Sequence, residues 1–388
     1  MFPVLVLIIL GFYAYNNYYN IPEAILTGTV FLPVMLALIA IAVSFHFNRS
    51  HIFFYVVLII VNNVFLGMQL AISDLAYSLL SLFIPLLLLG VTVLPERGII
   101  SVRTVPVYLL LILPLIISLV ITSNQPEWAI FIMLTDWLPG KYFDWTQQYQ
   151  MVVFASVFVF ITMLVLYFIR LTLQMATGLG VLIMLVAQLH FGRDADSLNV
   201  FSVMALLMCI YAVIHESWRM AYLDELTELP TRRALREKFQ SLGGVYTVAM
   251  LDVDHFKKFN DTFGHDTGDA VLRMIATKMN KVSGGGVPYR YGGEEFTIVF
   301  NGKDGADTNQ HLEELREKIA NTPFVINRAS RRKNDAKSRK VKNKSVRVTV
   351  SIGVADSRDN DLSPWALLKN ADKALYRAKK KGRNCVCS

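Results

Sequence analysis

The first 215 residues carry repeated apolar runs of about 17–25 residues, the length a helix needs to cross a bilayer. Eight are counted, at roughly 2–17, 23–45, 52–73, 75–95, 105–123, 149–169, 172–190 and 199–215. With 388 residues, 54% of them hydrophobic, and a positive mean hydropathy, the chain is excluded from being one soluble domain. The first run lacks both the basic start and the small-residue cleavage pattern of a secretory signal, so it is expected to stay as a span.

Charge divides the chain in the same place. Residues 1–215 hold six Lys/Arg against eight Asp/Glu, whereas 216–388 hold 32 against 22, so a membrane half of net −2 precedes a half of net +10. With eight spans both termini share a side. Arg49, Arg97, Arg103 and Arg170 fall on the side of the C-terminal half, against Lys141 and Arg193 opposite, which makes the C-terminal half cytoplasmic. The longest outer connection, 123–148, holds Trp128, Trp137 and Trp145 and reads as an interfacial aromatic belt in preference to a ligand lid. Within the spans the polar residues are chiefly Asn62, Asn63 and Gln69, amides that join helices. The intramembrane charges of a transporter are lacking. A sensory or anchoring role follows, with an unassigned sensory ligand. Cys209 reads as packing, and Cys385 and Cys387 form a lone C-x-C with no second pair to complete a metal site.

The last run continues through HESWRMAYLDEL without Gly or Pro, so its helix is expected to leave the membrane as a signalling linker over 216–228. Domain bounds are therefore 1–215 for the membrane domain and 222–388 for the soluble one. An amphipathic helix to about Leu242 precedes the strand VYTVAMLDVDHF, which ends in Asp252 and Asp254. A turn through 261–269 leads to a helix of about 270–282. Then come a hairpin tipped by Gly292-Gly293-Glu294-Glu295, a helix near 307–321, the strand VRVTVSIGVA, a helix near 364–380 and a short final strand. That alternation, β-α-β-β-α-β, is the ferredoxin-like topology. The fold class is a multi-span α-helical membrane domain followed by an α+β domain. The hairpin is flanked by VPYRY and FTIVF, dense in strand formers, and its glycines permit a tight turn. Paired acids at such a tip are costly without a cation. Alternation puts Asp252 and Asp254 on one side of their strand, where hard oxygen ligands for Mg²⁺ would stand. Taken singly, each feature also fits a solvated turn or acids ending a strand.

Five blocks occur in order: DELTELPTRR, LDVDHFKKFNDTFGHDTGDAVL, RYGGEEF, VSIGVA and ADKALYRAKKKGRN. Together they resemble the GGDEF family of diguanylate cyclases over about 222–388. The resemblance implies a nucleotidyl-cyclase fold that condenses two GTP into cyclic di-GMP and pyrophosphate, with Mg²⁺ or Mn²⁺ and as a homodimer in a bacterial inner membrane. It implies that Asp252, the carbonyl of Val253, Glu294 and Glu295 bind metal, with Glu294 or Glu295 also activating the ribose hydroxyl. It further implies that Gly292 and Gly293 admit the triphosphate, that Lys257, Lys379 and Arg383 hold phosphate, and that Asn260 and Asp269 read guanine. His265 is expected to brace the turn, and Phe256, Phe259 and Phe263 to be core. The alternative is a catalytically idle GGDEF receptor or interaction module, which would lack the metal acid or the tip, or keep the R-x-x-D product site.

Two features depart from the family pattern. Ser283-Gly284-Gly285-Gly286 stands where an R-x-x-D inhibitory site is expected, so feedback through it is expected to be absent. A basic insert, 328–347, has ten Lys/Arg against Asp335 alone and reads as a mobile loop. Attraction to anionic membrane lipids is the second reading of that insert. Nucleic acid is disfavoured because no aromatics interleave the charge.

Overall fold

The computed structural model describes residues 2–20, 31–67, 73–146, 148–191, 195–326, 344–358 and 363–388. It divides into two compact units, Met1–Ser217 and Trp218–Ser388.

The first unit is helical: α1 (Phe2–Asn16), α2 (Leu32–His46), α3 (Ser50–Gly67), α4 (Asp74–Val93), α5 (Val105–Asn124), α6 (Glu127–Leu134), α7 (Gln150–Arg170), α8 (Leu173–Phe191) and α9 (Ala195–Tyr222). Each of the eight apolar runs overlaps one of these helices. Among the described residues five segments are long and apolar enough to cross a membrane, namely α4, Val102–Asn124 (α5 with the 3₁₀ turn before it), α7, α8 and Asn199–Tyr222 within α9. The helices of the first three runs are shorter. The second and third runs continue into 21–30 and 68–72, outside the described residues, as does Gln69. The short α6 lies in the tryptophan-bearing connection and buries Ala129 and Met133 against Leu75 and Leu79 of α4. Trp128, Trp137 and Trp145 are exposed, as an interfacial belt requires.

Polar side chains inside this unit serve the helices. Thr92 Oγ1 donates to the Leu88 carbonyl at 2.6 Å and Ser78 Oγ to that of Asp74 at 2.8 Å, which satisfies buried hydroxyls one turn back. Asn62 Nδ2 donates to Gln188 Oε1 at 2.8 Å, and Gln188 Nε2 donates to Asn63 Oδ1 and Ser202 Oγ at 2.7 and 2.8 Å. These bonds join α3, α8 and α9, the gluing role expected of the amides. Arg49 lies 3.4 Å from both Glu96 and Glu216, which ties α9 to the neighbouring loop. Cys209 is fully buried packing.

The second unit runs α10 (Arg232–Gln240), β1 (Tyr246–Val253), α11 (Phe256–Phe263), α12 (His265–Met279), β2 (Val287–Gly292), β3 (Glu295–Asn301), α13 (Gly305–Ala320), β4 (Phe324–Ile326), β5 (Lys344–Val346), β6 (Val350–Asp356), α14 (Pro364–Lys380) and β7 (Val386–Cys387). The main sheet has the order β2-β3-β1-β6-β7. Its first four strands are antiparallel neighbours and β7 joins parallel to β6. The first four reproduce the ferredoxin-like order expected from the alternation of elements.

Every residue of β1 is buried, because both faces of the sheet are covered. Ala249, Leu251 and Val253 face a core completed by α12 and α13, and Val248 and Met250 face one completed by α10 and α14. Three details differ from the sequence reading, the first being that α9 ends at Tyr222 and does not run on to 228. The second helix begins at His265, five residues early, so His265 is exposed in its first turn and does not brace a loop. The run VRVTVSIGVA is broken into β5 and β6, with β5 pairing β4 in a separate two-stranded sheet. The basic insert lies outside the described residues from 327 to 343.

Candidate active site

Asp252 sits one residue from the end of β1, on the face covered by α14, with 5% of its surface exposed. Its antiparallel partner on β3 is Glu295, so the two carboxylates stand opposite one another on one face of the sheet. Strands β2 and β3 are joined by the two-residue turn Gly293-Glu294, in which Gly293 takes a positive φ of 47°. This turn carries Glu294 to the open end of the same edge, and the Val253 N–H donates to the Glu294 carbonyl at 3.4 Å. Nothing would meet a Cβ at Gly292 or Gly293, so the backbone here is open to an incoming group.

The tip is held from below by the arginine two residues before the Gly-Gly pair. Arg290 donates to the Gly293 carbonyl at 2.8 Å through Nη2 and to Asp224 Oδ1 at 2.6 Å through Nη1. The same Asp224 oxygen accepts from the Thr227 N–H and hydroxyl. Burial alone would raise the Asp224 carboxyl, but the Arg290 and Thr227 bonds hold it below its ordinary value. Arg232 stacks 4.5 Å from the centre of the Tyr291 ring beside this clamp.

Asp254, expected beside Asp252 as a second hard ligand, has its oxygens spent elsewhere. It accepts from Thr349 Oγ1 and Ser351 Oγ, both at 2.7 Å, and from the Asn384 N–H at 3.1 Å. It thereby ties the turn of Arg383 and Asn384, both at positive φ, to the end of β1. Lone alternation could not separate this bracing acid from its neighbour.

Lys379, near the end of α14, places Nζ 2.9 Å from Asp252 Oδ1. Burial raises the Asp252 carboxyl, the Lys379 bond opposes this, and the charge of Asp254 adds to the rise. Glu294 and Glu295 are also raised, first by burial and then by Asp252. Carboxylates that raise one another are what a divalent cation relieves, so the donor set fits Mg²⁺ or Mn²⁺ in chemistry. Among the described residues no three acids already close around a single point. Lys379 supplies the positive charge at Asp252.

Asn260 near the end of α11 packs closely on Gly268 of α12, the residue before Asp269. A Cβ on Gly268 would come within 1.9 Å of Asn260 Oδ1, so only glycine allows this approach. That Oδ1 atom is buried with no partner among the described residues. An acceptor so placed suits the N–H edge of a purine. Lys257 is exposed in the first turn of α11, and the Arg383 charge, like that of Lys379, opposes the rise at Asp252. The core assignment holds for Phe256, which is buried, and for Phe259, which packs against the same cluster.

Loop 283–286 is closed by its own neighbours. Ser283 Oγ bonds His311 Nδ1 at 2.8 Å and donates to Glu314 Oε2 at 3.2 Å, and Lys303 Nζ lies 3.4 Å from His311 Nε2. A Cβ on Gly286 would meet Phe300 at 2.6 Å.

Residues 221–385 match the family described as "Diguanylate cyclase, GGDEF domain". The response regulator PleD of Caulobacter vibrioides is 37% identical over 181 residues, 45% of this chain and 37% of PleD. Diguanylate cyclase DgcP of Pseudomonas aeruginosa is 35% identical over 179 residues, 44% of this chain and 24% of DgcP. Among solved structures, the GGDEF domain of DgcB from Caulobacter crescentus in complex with c-di-GMP aligns at 33% identity, covering 43% of this chain and 92% of that one, with a TM-score of 0.37. The chain thus spans well under half the length of these two curated relatives.

Proposed function

Since residues 221–385 make up a GGDEF domain, we propose that this protein is a membrane-anchored diguanylate cyclase that joins two GTP into cyclic di-GMP and releases two pyrophosphates. The observation that carries the reading is the pairing of Asp252 with Glu295 across β1 and β3, with Glu294 in the adjoining turn and Lys379 at 2.9 Å from Asp252. In each half-reaction a ribose 3′-oxygen attacks an α-phosphate, the α–β anhydride bond breaks, and the hydroxyl proton is lost. Asp252, the Val253 carbonyl, Glu294 and Glu295 would hold Mg²⁺ or Mn²⁺, which neutralises phosphate charge and acidifies the attacking hydroxyl. The chain's own part is positioning. Gly292 and Gly293 leave backbone open to phosphate, Lys257, Lys379 and Arg383 offset its charge, and Asn260 with Asp269 meet the guanine edge. Glu294 or Glu295 takes the proton.

One GTP per domain cannot close a two-nucleotide ring, so the working unit is a two-fold homodimer with facing half-sites. The eight apolar runs would lie in a bacterial inner membrane with the GGDEF domain and both termini cytoplasmic, as the arginine-bearing loops favour. Residues 1–215 act as sensor, 216–228 as a signalling linker that is helical as far as Tyr222, and the basic insert 328–347 meets anionic lipid headgroups. Product feedback at 283–286 is absent, supported by the Ser283–His311 bond and by Phe300 against Gly286.

The test is purified full-length protein with GTP and Mg²⁺, alongside Glu295→Ala. Cyclic di-GMP from the parent and none from the variant is expected. A parent that forms no cyclic dinucleotide in the presence of either metal sinks the reading.

A further inference from the structure

Where α7 begins and α8 ends, a cavity of about 230 Å³ opens between them. A dry cavity of ~150 Å³ already accepts benzene, so this one takes a somewhat larger body. Its walls are apolar, with Val153, Val157, Phe160 and Val186 along its length. Polar groups gather where Trp145, Thr146 and Gln148 meet His190. Among the described residues no Asp, Glu, Lys or Arg lines it, so a charged guest would lose its hydration without a counter-charge.

That polar end has unused capacity. His190 Nδ1 is bonded to Thr146 Oγ1 at 2.9 Å, and the imidazole lies 5.2 Å from the Trp145 ring. Gln148 Nε2 donates to Tyr77 Oη at 2.7 Å and to the Leu189 carbonyl at 2.5 Å, while its Oε1 is buried with no partner among the described residues. A second cavity of about 290 Å³ in the same unit, walled by Phe53, Phe54, Phe83 and Leu87, lacks such a group, and the hydroxyl of Tyr108 on its wall is already bonded to the Ile99 carbonyl.

We propose that the first cavity binds an uncharged amphiphile, an apolar body with one neutral hydroxyl or amide head seated at Gln148 and His190. Occupancy bears on the turn of α8 whose Gln188 bonds Asn62, Asn63 and Ser202, so it acts beside the bonds that hold α9.

The test uses the full chain in lipid nanodiscs and a photoreactive 1-octanol bearing a diazirine, with labelled positions read by peptide mapping. Labelling is expected to concentrate within 145–157 and 182–190 and to be competed by plain 1-octanol about fivefold better than by octane, the worth of one buried hydrogen bond. Val186→Trp, which fills the void, should abolish this labelling. His190→Phe with Gln148→Leu, which together remove both polar groups that seat the head, should bring octanol and octane level. Label spread evenly over lipid-facing side chains, or equal competition by octane in the parent, overturns the proposal. Labelling that octanol leaves unchanged assigns the cavity to a resident acyl chain and overturns it too. The readout is covalent labelling, so it is independent of whether the second unit turns over GTP.

Discussion

Lys379 Nζ stands 2.9 Å from Asp252 Oδ1, so the lysine at the end of α14 occupies the carboxylate proposed above as a metal ligand. Lys379 is a third exposed and Asp252 nearly sealed, so the lysine is the partner free to leave. Lys379→Met is expected to lower stability by about 1–3 kcal/mol, below the ~3–5 kcal/mol of a fully buried pair because solvent screens the lysine. Mg²⁺ should restore more of the Tm in this variant than in the parent, since it replaces the missing charge. Turnover should fall about 10²–10³-fold, as when a charge that stabilises a transition state is removed. A Tm insensitive to the substitution and to Mg²⁺ would show that the pair has no such role.

The Asp224–Arg290 clamp predicts an acid-side loss of stability. Hydrogen bonds from Arg290 and Thr227 hold the folded-state carboxyl of Asp224 below its unfolded value. Its contribution is therefore full above the unfolded pKa and lost as pH falls through the folded one. Asp224→Asn should be less stable than the parent at neutral pH, and the difference should narrow on acidification. Melting curves across the acid range check this, and a difference independent of pH would refute it. Turnover should also fall in the variant, because Arg290 positions the Gly293 carbonyl.

Gly268→Ala would drive a Cβ to 1.9 Å from Asn260 Oδ1 and 3.1 Å from the Phe256 ring. Asn260 must then leave its place against Gly268. GTP affinity is expected to fall about ten- to a hundredfold, the loss of ~1.4–2.8 kcal/mol. ATP, which does not use that contact, should bind as before. Competition binding with both nucleotides measures the split; parallel loss of both would point to a general collapse of the α11–α12 packing.

The broad plan was legible because it rests on period and order. The apolar runs yielded the helices, and the alternation of strand and helix yielded the β2-β3-β1-β6 order. The tip residues were legible for the same reason, since Gly-Gly-Glu-Glu lies contiguous between two strands. What escaped depends on contacts remote in sequence. Asp252 and Asp254 look alike along the chain, yet Lys379 meets one while Thr349, Ser351 and Asn384 consume the other. Likewise Arg290 read as part of a strand, and only its reach to Asp224 shows it as the support of the turn. The cavity at Gln148 and His190 needed two helices and a loop to be placed together.

Loop 283–286 yields the last prediction, because it distinguishes a site that lacks two side chains from one that has been filled. Restoring the charges by Ser283→Arg with Gly286→Asp would recreate the R-x-x-D pattern in sequence. A Cβ at 286 meets Phe300 at 2.6 Å and Ile298 at 2.9 Å, both fully buried on β3, so the aspartate cannot enter without displacing core. Replacing the Ser283 hydroxyl with a guanidinium would also break the bonds that Ser283 makes to His311 and Glu314. The double variant is expected to lose about 1–3 kcal/mol through overpacking and to remain uninhibited by cyclic di-GMP. Adding Phe300→Leu should recover part of the stability by opening room for the new side chain. Melting temperature and turnover at increasing product concentration read the two effects separately. Feedback inhibition appearing in the double variant alone, without a fall in Tm, would mean that the loop was empty and not closed.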